Sequence, residues 1–268
     1  MIGWEIFQKS IGRIFSNFSQ AIKIGGGILL VAFVLEVGLI FLITGNLIGQ
    51  GVYSRAGVGI AGGGVATAVI AVVHLLAIFW IAVSWHRFLL LEETGIGILS
   101  KWRWRVVLSY LVQSVLIGLM IVVAMLVFAL LVYGLATIGI LTASIGSLLY
   151  PVAFIVASYL VLRLSAILPA IAIEKPISMG ASWQASDTIK GAVLLLVFLS
   201  LVISALPGFL LGMVDLGVAV NALGRFAIYL FQLIFSITIL TTLYEYLFKE
   251  KPPSPAKDEG SKPVKITQ

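Results

Sequence analysis

The stretch LLYPVAFIVASYLVLRLSAILPAIAI, residues 148–173, is apolar on both sides of a single arginine, Arg163. A helix needs about 20 mainly apolar residues to cross the hydrocarbon core of a bilayer. Backbone amides in that core must find partners within their own segment, so a run of this length and composition is a helix and not a strand. The stretch therefore predicts a transmembrane helix that carries one permanent cation.

The composition extends this prediction to the whole chain. Of the 268 residues, 61% are hydrophobic and only 10% are charged, and the mean hydropathy is +1.16. A soluble domain carries about 25% charged residues, which cover its surface. The hydrophobic excess is spread along the chain, so we expect a polytopic membrane protein and not a soluble domain with one anchor.

Six apolar runs have the length of a membrane span. They cover residues 25–43, 63–85, 107–133, 148–173, 192–213 and 226–248. No small-residue cleavage site follows the first run, so we interpret it as a retained span and not as a signal peptide. The alternation of membrane β-barrel strands is absent. The predicted fold class is all-α, a polytopic membrane helical bundle with six transmembrane helices in residues 1–248.

Positive charges lie on alternate connections between the predicted spans. They occur before span one, between spans two and three, between spans four and five, and in the tail of residues 249–268, which holds five lysines. The other connections carry only Arg55 and Arg225. The positive-inside rule therefore predicts that both termini are cytoplasmic. The tail has too few large apolar residues to order itself and is predicted to be disordered.

The chain also carries a degenerate repeat. Spans two, four and six end in a charged residue, an apolar turn and further charge, in the segments WHRFLLLEE (85–93), LRLSAILPAIAIEK (162–175) and YEYLFKE (244–250). The spacing is roughly eighty residues, and we interpret the pattern as three two-helix units. Chance similarity among hydrophobic segments is the alternative interpretation.

Each unit is preceded by a segment suited to the membrane interface. In residues 1–23, one helical face holds apolar side chains, which predicts an amphipathic helix in the headgroup plane. These side chains are Phe7, Ile11, Ile14, Phe15, Phe18 and Ile22. The second segment is SKWRWR (100–105), in which tryptophans alternate with cations. The third begins at Ser178, a predicted helix N-cap, and reaches Trp183.

Arg163 allows three interpretations. At 1.5 Å per residue it lies about 25 Å from the outer end of its span, near the cytoplasmic edge. We favour a guanidinium that reaches the headgroups, ahead of an acidic partner or a role in substrate binding. Pro169 is expected to kink the helix near Ser165. Arg163 also belongs to a candidate cytoplasmic belt for lipid headgroups, which comprises Arg87, Lys101, Arg103, Arg105, Arg163 and Trp183.

Glu36 is predicted to lie close to the membrane midplane. A carboxylate there costs about 2.5–3.5 kcal/mol on insertion scales, so a partner or a proton is expected. His74 falls at nearly the same depth of the antiparallel second span. We therefore hypothesise a Glu36–His74 hydrogen bond inside the bundle. It acts either as a structural pair that fixes helix register or as a proton relay.

The sequence offers no catalytic, cofactor or metal site. Cysteine is absent, which removes thiolate nucleophiles and cysteine-ligated metals, and two histidines give no metal-binding spacing. Neither a Gly-x-Ser-x-Gly elbow nor a Walker motif occurs. We therefore expect a protein that is not an enzyme.

The segments WHRFLLLEE, KWRWR and LRLSAILPAIAIEKPISMGASW together resemble a family of uncharacterised six-span bacterial inner-membrane proteins. That family is similar to the membrane domain fused to some glycerophosphodiester phosphodiesterases. The resemblance rests on an Arg-Leu-Ser-x-x-Leu-Pro pattern followed by Ser-Trp. The matching residues are Arg163, Leu164, Ser165, Leu168, Pro169, Ser182 and Trp183. It implies an envelope-membrane location and no activity, because the phosphodiesterase's catalytic domain has no counterpart here.

Two functions remain open from the sequence. The first is a non-enzymatic role in envelope or lipid organisation, with membrane lipids, a second copy of the chain or another membrane protein as partners, and without nucleic acid. The second is a small-solute or proton-coupled transporter that uses Glu36 and His74. A hydrated cavity that reaches Glu36, His74 or Arg163 favours the transporter.

Overall fold

The computed structural model describes residues 2–44, 64–93, 100–139, 142–214 and 217–250. Helices make up 89% of these residues, and no strand occurs among them. The predicted tail lies outside the described residues, apart from positions 249 and 250.

The helices follow one another with short connections. We number them α1 (Ile2–Ser16), α2 (Phe18–Ala21), α3 (Gly27–Thr44), α4 (Gly64–Leu91), α5 (Trp104–Thr137), α6 (Ala143–Leu164), α7 (Ile167–Ala172), α8 (Met179–Asp187), α9 (Lys190–Gly212) and α10 (Val218–Glu245). A π-helical turn, Ile22–Gly26, joins α2 to α3, and a second, Tyr246–Glu250, extends α10.

Six segments are long and apolar enough to cross a membrane, so the predicted all-α membrane bundle is confirmed. These segments are Phe18–Leu39, Ala68–Leu91, Trp104–Thr137, Leu149–Ala172, Lys190–Gly212 and Val220–Lys249. Each overlaps one predicted span. They are hydrophobic on nearly every face, because one side packs in the bundle and the other faces lipid.

The spans pack as three hairpins around a common centre. α3 packs on α4, α5 on α6, and α9 on α10. The second helices of the hairpins meet in the middle, where α4, α7 and α10 contact one another. Each first helix also contacts the second helix of the preceding unit: α5 touches α4, α9 touches α6, and the turn that leads into α3 touches α10. The predicted sequence repeat therefore corresponds to a three-fold pattern of packing.

The core lies where the central helices meet. Trp85, Ile81, Phe235 and Leu243 are almost completely buried there. The indole Nε1 of Trp85 donates a hydrogen bond of 2.8 Å to Thr238 Oγ1, which satisfies a polar atom that has no water to bind. This contact joins α4 to α10 close to the end of the bundle where the charged residues collect.

Helix α1 docks on the bundle through a face that overlaps in part with the apolar face that we predicted for the membrane interface. It packs on α9 and α10 through Gly3, Ile6, Ser10 and Ile14. A Cβ at Gly3 would lie 2.8 Å from the carbonyl oxygen of Ala192, so only glycine permits this approach. Of the predicted apolar face, Phe15, Phe18 and Ile22 are exposed. Ile14 of the same face is buried in the bundle, so the predicted face is partly packed on protein and partly exposed, and its place in the headgroup plane stays a prediction.

The other interfacial segments differ from each other. Residues 100–103 are not helical, and α5 begins at Trp104. Before span five, the predicted N-cap is present, since Ser178 Oγ accepts a hydrogen bond of 3.1 Å from the backbone N–H of Ala181. Only the first and third units are therefore preceded by a helix within the described part of the chain.

The helix break near Pro169 also lies where it was expected. α6 ends at Leu164, and α7 begins three residues later at Ile167. Proline cannot donate to the Ser165 carbonyl, which instead accepts a hydrogen bond of 3.0 Å from the N–H of Leu168. The break turns α7 toward the centre, where it contacts α4 and α10.

Candidate functional sites

Glu36 and His74 meet within the membrane. Oε1 of Glu36 lies 3.1 Å from Nδ1 of His74, and Nε2 of His74 lies 3.0 Å from the hydroxyl of Tyr229. The three side chains, from α3, α4 and α10, form one hydrogen-bonded chain. Tyr229 was missed from the sequence, because it lies 155 positions from His74 and belongs to another hairpin.

This chain of three polar side chains lies near the lipid-facing side of the bundle. The side chain of His74 is 42% exposed and that of Glu36 is 19% exposed. In lipid, both ring nitrogens of His74 need partners, and the two contacts supply them. The arrangement therefore holds α3, α4 and α10 in one relative position, and the same atoms could pass a proton along the chain.

At the charged end of the bundle, Arg87 is buried in an internal network. Its guanidinium donates to both carboxylate oxygens of Glu93, at 2.8 and 2.6 Å, and to the carbonyl oxygen of Ala172 at 2.8 Å. Glu93 also accepts from Arg103 at 3.2 Å, and Glu174 lies 3.6 Å from Arg87. The hydrogen bond from Arg87, followed by the charges of both arginines, lowers the pKa of Glu93.

Arg163 occupies the equivalent place in the second unit. It is 4% exposed, and its guanidinium donates to Asp187 Oδ1 at 2.9 Å, to Ser186 Oγ at 3.0 Å and to the Trp183 carbonyl at 2.9 Å. It also lies 3.6 Å from the centre of the Trp183 ring. Of the three interpretations, the acidic partner is the one that the geometry supports. The headgroup contact that we favoured is not the arrangement found, because the guanidinium is buried and bound to Asp187 and α8.

Glu245 occupies the equivalent place in the third unit, with the charge reversed. It is 8% exposed and forms a direct ion pair with Arg13 of α1. Arg13 also donates to Thr242 Oγ1 at 3.4 Å. Sequence reasoning recognised the repeat at this position but not the ion pair, because the partner lies at the other end of the chain.

These three ion pairs follow one rule. The charge at the end of each unit binds the segment that introduces the next unit. Arg87 is linked through Glu93 to the segment before α5, Arg163 binds α8 before α9, and Glu245 binds α1 before α3. The third unit is linked back to the first, so the three links form a closed set. We call this set the charge ring; it comprises Arg87, Glu93, Arg103, Arg163, Asp187, Arg13 and Glu245. Arg87, Arg163 and Glu245 are buried, so the ring holds the units together.

His86 forms a fourth buried polar contact that the sequence did not indicate. It is completely buried, with Nδ1 2.7 Å from Thr241 Oγ1 and Nε2 3.2 Å from the Tyr110 hydroxyl. These contacts tie α4 to α10 and α5. The imidazole has no remaining nitrogen for a metal or substrate, so its role is structural.

The predicted headgroup belt is therefore divided. Arg87 and Arg163 lie inside the protein, and Arg103 is engaged with Glu93. Lys101 and Arg105 are exposed, and Trp183 is 39% exposed while it covers Arg163. Among the described residues, the predicted belt thus leaves two cations, Lys101 and Arg105, on the surface.

Two clefts open on the lipid-facing surface of the charged half. The first, of about 320 Å³, lies between α3 and α4 and is closed by Trp80 and Trp102. Its walls reach Leu35 and Val73, and they contain no charged side chain. The second, of about 650 Å³, lies between α5 and the end of α7. It is lined by Arg105, Val106, Leu108, Ser109, Val112, Gln113, Ile171, Glu174 and Pro176.

Neither cleft has Glu36, His74 or Arg163 in its walls. The cleft between α3 and α4 passes beside Glu36 and His74, but its apolar walls favour hydrocarbon over water. The cleft between α5 and α7 combines an apolar floor with one cation, one anion and two neutral polar side chains. That combination matches an amphipathic molecule.

Comparisons with protein-family models, with curated proteins and with solved structures gave no match. The resemblance to the membrane domain of certain phosphodiesterases stays a prediction. The chain's own residues establish a six-span integral membrane protein whose three hairpins are linked by ion pairs.

Proposed function

We propose that this protein is a non-enzymatic, lipid-binding protein of the bacterial inner membrane. The observation that carries the proposal is the cleft of about 650 Å³ between α5 and α7, which faces the lipid and bears Arg105 and Glu174. Apolar side chains such as Leu108 and Val112 would contact an acyl chain, while the charged groups would contact its headgroup. The cleft has the size of a small-molecule site.

Placement of the cleft supports this assignment. It lies at the end of the bundle where α1, α8 and the charge ring lie, and this end carries most of the cations of the described residues. Under the positive-inside rule this end is cytoplasmic, and so are both termini. The cytoplasmic leaflet of a bacterial inner membrane supplies anionic and zwitterionic phospholipids to such a site. The bacterial location is further supported by the resemblance described above.

Lipid binding can be tested on the full chain purified in mild detergent. Native mass spectrometry should detect phospholipid that remains bound after delipidation and rebinds on titration. Leu108→Trp, which fills the cleft, should lower binding, whereas Leu126→Trp, on the exposed face of the same helix, should not. Equal binding by both variants would place the lipid elsewhere. Failure of the wild-type chain to retain any lipid would refute the proposal.

Orientation is tested separately. A tag after residue 268 should be inaccessible to a membrane-impermeant reagent in intact cells and accessible in inverted vesicles. Accessibility in intact cells would reverse the topology, and the cleft would then face the outer leaflet.

A second function, proton-coupled transport, rests on the hydrogen-bonded chain of Glu36, His74 and Tyr229. Two titratable side chains in contact within a membrane are typical parts of a proton pathway. Proteoliposomes with a pH-sensitive dye inside should then show proton flux that Glu36→Gln abolishes. Flux that is equal in wild type, Glu36→Gln and empty liposomes would show that the hydrogen bonds among these three side chains are structural only.

A further inference from the structure

The α5–α7 cleft carries two opposite charges in its wall. Arg105 lies in the first turn of α5, and Glu174 follows the last residue of α7 by two positions. Both side chains are exposed. Arg105 contacts the ring of Trp104 at 5.4 Å and no carboxylate among the described residues. A headgroup with both charges would match this pair better than a purely anionic one.

Glu174 has an unusual backbone. Its φ is +59°, in the left-handed region that favours glycine. The conformation arises because α7 ends in a Schellman motif, in which Lys175 N–H donates to Ala170 O and Glu174 N–H donates to Ile171 O, both at 2.9 Å. Glycine is the usual residue at this position. Glu92, directly after α4, adopts the same conformation with a φ of +56°, so the assignment of Glu174 rests on its place in the wall of the cleft.

The carboxylate of Glu174 is only partly engaged inside the protein. One oxygen lies 3.6 Å from Arg87, which is already bound to Glu93 and Ala172, and the side chain is 57% exposed. The distance exceeds that of a charge-assisted hydrogen bond, so Arg87 orients the carboxylate without saturating it. An ammonium group in the cleft could therefore become its main partner.

Resting on the lipid-binding function proposed above, we infer that the cleft selects phospholipids whose headgroup carries a primary amine. Arg105 binds the phosphate, Glu174 accepts hydrogen bonds from the ammonium, and Leu108 and Val112 contact an acyl chain. A phosphoethanolamine headgroup has both charges. Its trimethylated analogue keeps the charge but has no N–H to donate, and a phosphoglycerol headgroup lacks the cation.

The test is a competition on the full chain in detergent, read by native mass spectrometry. Three lipids with identical acyl chains are offered together, with phosphoethanolamine, phosphocholine and phosphoglycerol headgroups. The amine lipid should bind about fivefold more tightly than either competitor, the ratio for an exposed ion pair of about 1 kcal/mol. Glu174→Gln should reduce this ratio to about one. Arg105→Gln should weaken all three lipids alike, because they share the phosphate.

Two further variants separate this role from a folding effect. Glu174→Gly removes the carboxylate and places at this left-handed position the residue that adopts it without strain. This variant should keep the fold and lose headgroup selection. Lys101→Gln removes an exposed cation that does not line the cleft, and selection should persist. Equal binding of the three lipids by the wild type, or selection that survives in both Glu174 variants, would refute the inference and leave lipid binding intact. Binding of none of the three would refute both.

Discussion

The guanidinium of Arg163 lies 3.6 Å from the centre of the Trp183 ring and donates a hydrogen bond to the carbonyl oxygen of the same residue. One residue of α8 thus satisfies an arginine of α6 through both its backbone and its side chain. Asp187, one turn later, neutralises the charge. The cation in an otherwise apolar span therefore links the second unit to the third.

Substitution of Arg163 by Gln should destabilise the protein by about 2–4 kcal/mol, because a stacked, hydrogen-bonded ion pair is lost. Arg163→Lys should recover only a small part, since an ammonium lacks the planar fork that stacks and donates in several directions. Thermal unfolding in detergent measures the effect. Lys190→Gln, on an exposed partner of the same Asp187, is the control and should change stability by less than about 0.5 kcal/mol. Full stability in Arg163→Lys would show that charge alone matters.

The ion pair between Arg13 and Glu245 should show coupling in a double-mutant cycle. Glu245→Gln leaves Arg13 without this carboxylate, and Arg13→Gln leaves Glu245 with the more distant Lys9, at 3.7 Å, so each change should cost about 1–3 kcal/mol. The double variant should lose about 1–2 kcal/mol less than the sum of the two, because it leaves neither charge alone. Unfolding free energies in detergent supply the four values. Strict additivity would mean that this link of the charge ring carries no energy.

Acid should weaken the charged end of the bundle. Hydrogen bonding by Arg87 lowers the pKa of Glu93 in the folded state below the ordinary 4.5. Its stabilising contribution is therefore complete above that value and is lost as the pH falls through the lower, folded pKa. Asp187 behaves alike, because hydrogen bonds from Lys190 and then Arg163 lower its pKa.

The unfolding temperature should consequently decrease when the pH is lowered below about 4.5. Glu93→Gln should be less stable than wild type at neutral pH and should show a shallower decline in acid. Glu92→Gln changes an exposed neighbour outside the Arg87 network, and its decline should match that of the wild type. Parallel curves for Glu93→Gln and wild type would contradict this assignment.

The Glu36–His74 pair should behave as a unit. Glu36→Leu and His74→Leu should each reduce stability by a similar amount, and the double variant should add little. Hydrogen bonds within membranes contribute about 0.6 kcal/mol on average, so Tyr229→Phe should cost less than about 2 kcal/mol. Steric-trap or thermal unfolding measurements can resolve these differences. Additive losses for Glu36→Leu and His74→Leu would count against the pair.

Two glycines of α1 offer a matched test of helix docking. Alanine is intrinsically better than glycine in a helix by about 1 kcal/mol. Gly12→Ala should therefore be neutral or stabilising, since nothing lies within 4 Å of its added Cβ. Gly3→Ala should be destabilising, because its Cβ would lie 2.8 Å from a backbone oxygen that cannot move aside. Protease cleavage within α1 should increase only in Gly3→Ala.

Much of the fold follows from the sequence. Membrane spans are visible because lipid imposes length and apolarity on each segment independently of its neighbours. The break at Pro169 and the cap at Ser178 were also predictable, since both depend on bonds within four residues. The Glu36–His74 contact was foreseen because two antiparallel neighbours place both groups at one depth.

Other features depend on contacts between distant segments. The docked face of α1 could not be chosen from periodicity, because lipid and protein both accept apolar side chains. Arg163 was assigned to headgroups, whereas a carboxylate of α8 binds it. Tyr229 and the Arg13–Glu245 pair join residues far apart in the chain, and nothing local to either partner indicates the other.

The sequence by itself determined that the chain is a six-span membrane protein with charged residues at regular places, because solvation by lipid acts on each segment alone. Only the tertiary structure decided which charges pair with each other, and that Arg105 and Glu174 line the same cleft. Those choices depend on how the hairpins pack, and an ion pair forms only where packing places two opposite charges within a few ångströms of each other.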